Sequence, residues 1–243
     1  QREAVRNNMN DQVSRRGEIY PIPIIFHDIF RQSFTDTAAH SFCNYQGGFK
    51  NDAHYKTASN AECYQKVDKV LTILNEQFSD AGIQFYSPSH LLPIYPHTDP
   101  GFDSISTGTG GNVGSIRKRY FIPHVLNVFL TQCIWESEGE CSIISGMSTY
   151  PWSIDVNTPG VTLRHSSVPG MNDDPAKVHS IAILPHEIAH YFSLFHIEGI
   201  WMWNSDFTQE LVSGENCATR GDLICDTPGQ SGFNDGTFFT ELV

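Results

Sequence analysis

Basic side chains are scarce in this chain: 15 Lys and Arg stand against 27 Asp and Glu, a net charge of −12 with histidine neutral. Nucleic acids and anionic membrane surfaces are bound through clustered cations, so this balance argues against both as partners. No apolar run approaches the roughly 18 residues of a membrane-spanning helix. Cys-x-x-Cys is also absent, although there are six cysteines, Cys43, Cys63, Cys133, Cys141, Cys217 and Cys225. Zinc-finger and thioredoxin-like readings fail with it. Gln1 to Gly17 is polar and lacks the apolar core of a signal peptide, which predicts a processed chain beginning with an arm or the remnant of a pro-segment. That arm holds no cysteine whose thiolate would reach a metal. Its Arg15-Arg16 pair reads either as a processing site or as two solvated arginines.

What is present describes a folded protein. Hydrophobic residues make up 40% and aromatics 12% of 243 residues, enough for one sizeable domain, read here as 18–243 with subdomains 18–196 and 197–243. An even cysteine count favours disulfides and an oxidising, secreted location. Pairing by proximity would give Cys43–Cys63, Cys133–Cys141 and Cys217–Cys225, one of fifteen connectivities. The acid excess is concentrated late: Glu198, Asp206, Glu210, Glu215, Asp222, Asp226, Asp235 and Glu241 face the single base Arg220. It suits calcium, basic substrate side chains, or simply a solvated face.

Along the chain, Glu18 to Phe30 is β-branched and aromatic and predicts a buried strand entered through Pro21 and Pro23, with His27 a core or strand-end residue. Residues 31–58 read as a loop. Val67, Val70, Leu71, Ile73, Leu74 and Phe78 recur at three and four, predicting an amphipathic helix over 61–78 with Asn60 as N-cap. Gly82 ends it and 83–86 begins a second strand. The Pro- and Gly-rich segment 87–119 reads as one long surface loop, its His90 and His97 exposed. Further strands are predicted at 120–132, at 143–150 as an edge strand, and at 160–168. Asp174 and Pro175 suit the start of a second long helix, within which Pro185 should mark a kink or the true beginning.

That helix carries Leu184-Pro185-His186-Glu187-Ile188-Ala189-His190-Tyr191-Phe192-Ser193-Leu194-Phe195-His196. His186 and His190 are four apart and share one helical face, a spacing at which two imidazoles hold one Zn²⁺ at about 2.0–2.1 Å each. Glu187 is poorly placed to ligate but close enough to take a proton from a zinc-bound water. His196 reaches the same ion only if the chain turns after Phe192 or Ser193. Three protein ligands and an open position characterise a catalytic zinc site. A merely buried helix has no use for three imidazoles and is penalised by Glu187.

The stretch resembles the long zinc signature of the metzincin metallopeptidases, with Ser193 where that signature has glycine. The opening strand, Leu74-Asn75-Glu76-x-Phe78, Ala81-Gly82-Ile83-Gln84-Phe85, Leu126-Asn127-Val128, the 160–167 strand and Gly221-Asp222-Leu223-Ile224-Cys225-Asp226-Thr227-Pro228 look like the ulilysin-like branch of the pappalysin family. The resemblance covers about residues 18 to 230. It implies an α/β (α+β) fold with a twisted, mostly parallel sheet, two long helices and a smaller irregular C-terminal subdomain. It also implies a secreted, monomeric zinc endopeptidase acting on proteins or peptides, with relatives that cleave before Arg or Lys. By the same resemblance Asp222 and Thr227 bind Ca²⁺; the edge strand at Gly146, Met147, Ser148 and Thr149 would bind substrate by pairing with an extended peptide. The family's Met turn and its following Tyr have no counterpart between Pro228 and Val243, which predicts either a longer native chain or a truncated one. Two other readings stay open. One is a thermolysin-like hydrolase with Glu210 or Glu215 as third ligand, and the other is a non-catalytic binding domain that keeps zinc as a fold element.

Overall fold

The computed structural model describes residues 18–30, 60–98, 105–106, 113–131, 134–135, 144–150, 158–168, 179–196, 213, 215–218 and 223–225. Among them are eight strands and three α-helices. In chain order these are β1 (Tyr20–Phe30), α1 (Asn60–Gln77), β2 (Ile83–Tyr86), β3 (Ile94–Thr98), β4 (Ile105–Ser106) and α2 (Val113–Tyr120). They are followed by β5 (Leu126–Thr131), β6 (Ile134–Trp135), β7 (Gly146–Ser148), β8 (Val161–Arg164) and α3 (His179–Tyr191).

Six strands form one sheet in the order β2-β1-β5-β8-β7, with β3 pairing the second half of β1; β4 and β6 form a separate two-stranded sheet. Every pairing in the large sheet is parallel except β7 with β8. A parallel sheet covered on both faces needs strands that are apolar throughout, and all six residues of β5 are buried. Pro21 and Pro23 are tolerated in β1 because pairing with β5 begins only at Ile24. Tyr20 N donates to Gly82 O, so the positions lacking N–H face away from β2, where no strand has yet started. Helix α1 packs Cys63, Val67, Val70 and Leu74 inward. Its Asn75 binds Phe85 through both amide atoms, accepting from the N–H at 2.6 Å and donating to the carbonyl at 3.1 Å. That bond pair fixes α1 to β2. Gly82, at φ 68°, reverses the chain between them, and a Cβ there would meet Glu18 O at 2.6 Å.

Three expectations need correction. Asn60 is already helical and is not the cap preceding α1. Pro185 lies inside α3, so of its two readings, a kink or the true beginning, the second is excluded. Residues 87–119 are not one loop, because β3, β4 and α2 are built from them. The glycine run that suggests a loop ends in α2, where Ile116 is buried and Gly114 lies in the helix. His97 consequently lies on β3, half-buried, and is not an exposed loop histidine. The loop read at 31–58 and the cap at Asp174 fall outside the described residues.

The misplaced histidine belongs to a stacked aromatic cluster. His27 stacks on Phe129 at 4.7 Å, and His97 stacks on Tyr120 at 3.8 Å between centroids. Asn127 Nδ2 donates to Ile122 O and Val125 O, which turns its Oδ1 toward His27 Nε2 at 3.0 Å. His27 therefore donates from Nε2 and accepts at Nδ1 from His97 Nε2, 2.9 Å away. A proton on His27 Nδ1 would face another N–H. Burial lowers His27 to about 4, and burial with the His27 charge lowers His97 to about 3. Both folded values lie below the ordinary 6.5. Above pH 6.5 neither group distinguishes folded from unfolded chain; below it the unfolded chain takes up protons that the folded one refuses. Stability should therefore fall from about pH 6.5 toward 4, by up to about 1.4 kcal/mol per pH unit for each histidine. Thermal melts should show a shallower acid slope in His97→Gln than in the wild type; parallel slopes would refute the assignment.

The chain divides into two compact units, Gln1–Tyr191 and Phe192–Val243. In the second, Cys217 and Cys225 form a disulfide, one of the pairings expected by proximity. Cys63 is also disulfide-bonded, and no described cysteine is free.

Candidate metal centre

Helix α3 presents its two functional faces through its period. Leu184 and Ile188, four apart, are fully buried and seat the helix, which packs on β7 and β8. The same spacing brings His186 and His190 together edge to face, and their Nε2 atoms lie 3.0 Å apart. Two nitrogens bound tetrahedrally to zinc at about 2.0–2.1 Å lie about 3.3 Å apart. The observed approach is therefore close to what one shared ion requires. The helix stops at Tyr191, and Ser193 takes φ 79°, the left-handed conformation for which the signature has glycine. A residue with a Cβ holds that conformation at a cost of about 1–2 kcal/mol. The turn survives the substitution. It swings His196 back, so that one ligand atom from each of His186, His190 and His196 lies within 4.8 Å of the others. Among the described residues this is the one such group of three, and exposed Glu215 is not part of it. Three neutral nitrogen donors suit zinc.

Glu187 is buried on the other side of the same turn, with 8% of its surface exposed. Burial pushes its carboxyl up to about 7, against the lowering pull of the Arg117 guanidinium. Its neighbour is the edge strand. A Cβ on Gly146 would meet Glu187 Cγ at 2.8 Å, Glu187 Oε1 at 2.9 Å and Leu163 Cδ2 at 2.7 Å. Glycine at 146 is what lets the carboxylate lie against the strand.

β7 ends the sheet order, as the sequence predicts for this segment. Arg164 N donates to Ser145 O and Thr149 N to Gly160 O, so 145, 147 and 149 are the hydrogen-bonded positions opposite β8. The alternation turns the backbone N–H and C=O of Gly146 and Ser148 to the outer edge, and those of Met147 and Thr149 inward. Thr149 is further engaged by its hydroxyl, which donates to Gly160 O and accepts from Arg117 Nη1. Arg117, buried in α2, also reaches Thr162 Oγ1 from Nη2 at 3.0 Å. Neither Arg117 nor Tyr150 stood out in the sequence. The signal for Arg117 was hidden in a segment that read as loop. Tyr150 follows an edge strand and has no motif, yet its hydroxyl lies 3.2 Å from His190 Nδ1. Burial and the Glu187 charge both raise the Tyr150 hydroxyl, keeping it protonated. Asp222 and Thr227 lie outside the described residues.

No family model and no curated protein sequence matches the chain. Solved structures do share its fold. Mature mirolysin of Tannerella forsythia in complex with a cleaved peptide aligns with TM-score 0.52 and 16% identity, over 90% of this chain and 74% of that one. Mirolysin in complex with compound 9 gives 0.52 and 17%, over 90% and 75%. Mirolysin is a metzincin of the pappalysin–ulilysin family, so the architecture is the one the sequence resemblance implied: a mixed α/β fold with a mostly parallel sheet.

Proposed function

We propose that this protein is a secreted zinc endopeptidase. One observation carries the reading: three imidazoles converge from α3 and its exit turn while a buried carboxylate, Glu187, sits one residue from the first of them. The fold it shares with mirolysin supports it. His186, His190 and His196 would hold the zinc, and zinc when bound supplies a Lewis acid that acidifies a water and polarises a carbonyl. Glu187 would accept a water proton at a carboxylate oxygen and deliver it to the departing amine. An extended peptide would add to the outer edge of β7 through the backbone groups of Gly146 and Ser148, with Met147 and Thr149 holding the strand to its neighbour. The acidic residues after Ile197 suit a preference for cleavage before Arg or Lys, and Ca²⁺ at Asp222 and Thr227 rests on the sequence resemblance.

The test is a quenched-peptide assay on the protein as purified, read beside its metal content. Cleavage is expected to stop when a chelator strips the ion and to return with stoichiometric zinc. Cleavage that persists in metal-stripped protein would sink the reading, and so would a purified protein that takes up no transition metal.

A further inference from the structure

Tyr150 joins the edge strand to a metal ligand. Resting on the zinc reading above, we propose that Tyr150 is a positioning residue: its hydroxyl receives the Nδ1 proton of His190 and thereby keeps the His190 Nε2 lone pair aimed at the ion. The hydroxyl lies 3.2 Å from Nδ1, and the phenol and imidazole rings are 5.3 Å apart at 53°. Nε2 of the same ring faces His186 Nε2 at 3.0 Å, so the two nitrogens of His190 have opposite neighbours. A neutral imidazole carries one proton. When Nε2 ligates a metal that proton must be on Nδ1, and the tyrosine oxygen accepts it. When Nε2 instead donates to His186, the hydroxyl rotates and donates to Nδ1. A backbone carbonyl would accept only, and would tolerate one of these two tautomers; a hydroxyl serves both.

Placement makes the contact more than local. Side chains two apart along a strand share a face. Gly146 faces Glu187 on α3. Tyr150, two steps of that period further on, faces His190 on the same helix. The edge strand and the residue two beyond its end thus touch the proposed base and a ligand, and the strand's outer edge is where a peptide would pair. Strand and ion are held in register through this side chain.

The experiment compares zinc affinity, by chelator competition, in wild type, Tyr150→Phe, Tyr150→Gln and Tyr86→Phe, the last on the exposed face of β2. Loss of an outer partner of a metal-bound histidine weakens binding by about 10–100-fold. Tyr150→Phe should show such a loss with unchanged circular dichroism, Tyr150→Gln should recover part of it, and Tyr86→Phe should show none. The visible spectrum of the cobalt-substituted protein should change in Tyr150→Phe alone. Wild-type affinity and spectrum in Tyr150→Phe would overturn this proposal while leaving the zinc reading intact. If Tyr150→Phe misfolds, Tyr150→Gln decides: an affinity within about 10-fold of the wild type supports the role, and any larger loss overturns it in favour of plain packing. Absence of zinc from the wild type would overturn both.

Discussion

His196→Ala should strip the protein of zinc at concentrations where the wild type is fully loaded, and peptide cleavage should disappear with it. The expected loss exceeds the roughly 10–100-fold that removal of an outer partner brings, because a direct ligand is gone and two imidazoles four apart remain. The prediction turns on the exit of α3. His196 lies six residues after His190, beyond reach along a continuing helix, and it is the left-handed Ser193 that returns it. Ser193→Gly should preserve the turn with less strain and leave zinc affinity at least as tight as in the wild type. Glu215→Ala and Glu210→Ala should keep the metal, since a thermolysin-like ligand set is the alternative they test. Zinc stoichiometry across the four variants decides it. Full occupancy in His196→Ala with loss in either glutamate variant would transfer the third position to a carboxylate.

How far the sequence could be read follows from the range over which each signal acts. The helical pair His186 and His190, the α1 periodicity and the β-branched, aromatic run of β1 are set by neighbours a few residues away, and each element is seen where it was expected. The mixed, mostly parallel fold was likewise legible, through the resemblance. What could not be read depends on distant pairing. His97 looked like a loop residue because Pro93, Pro96 and Pro100 surround it, yet β3 forms by pairing with β1, some seventy residues earlier. Helix α2 was concealed by the glycines before it, and with it went Arg117, whose partners Thr149 and Thr162 lie on other elements. Ser193 was the reverse case. Its identity argued against the turn, and the local geometry is adopted despite the cost.

Glu187→Gln should retain zinc and lose about 10²–10⁴-fold in kcat, the range general acid–base catalysis supplies. Glutamine keeps the volume and the contact with Gly146 but has no carboxylate to take a proton. KM should change little, since the amide leaves the outer edge of β7 untouched. The buried site sharpens the expectation: at 8% exposure, little bulk water is at hand to replace the missing base. Gly146→Ala probes the same group from the facing strand. The added methyl would lie 2.8 Å from Glu187 Cγ and 2.9 Å from Oε1, closer than such contacts allow. Both of these neighbours on α3 belong to a side chain that can swing, so the strand should hold while the carboxylate moves by a few tenths of an ångström. A displacement of about 1 Å can cost 10²-fold in rate, so a loss of roughly tenfold in kcat is expected, with zinc content unchanged. Steady-state kinetics on zinc-loaded variants settle both. Wild-type turnover in Glu187→Gln would remove the carboxylate from the chemistry. A Gly146→Ala variant slowed as severely as Glu187→Gln would mean that the strand itself has shifted and that its edge, more than the base, limits the reaction.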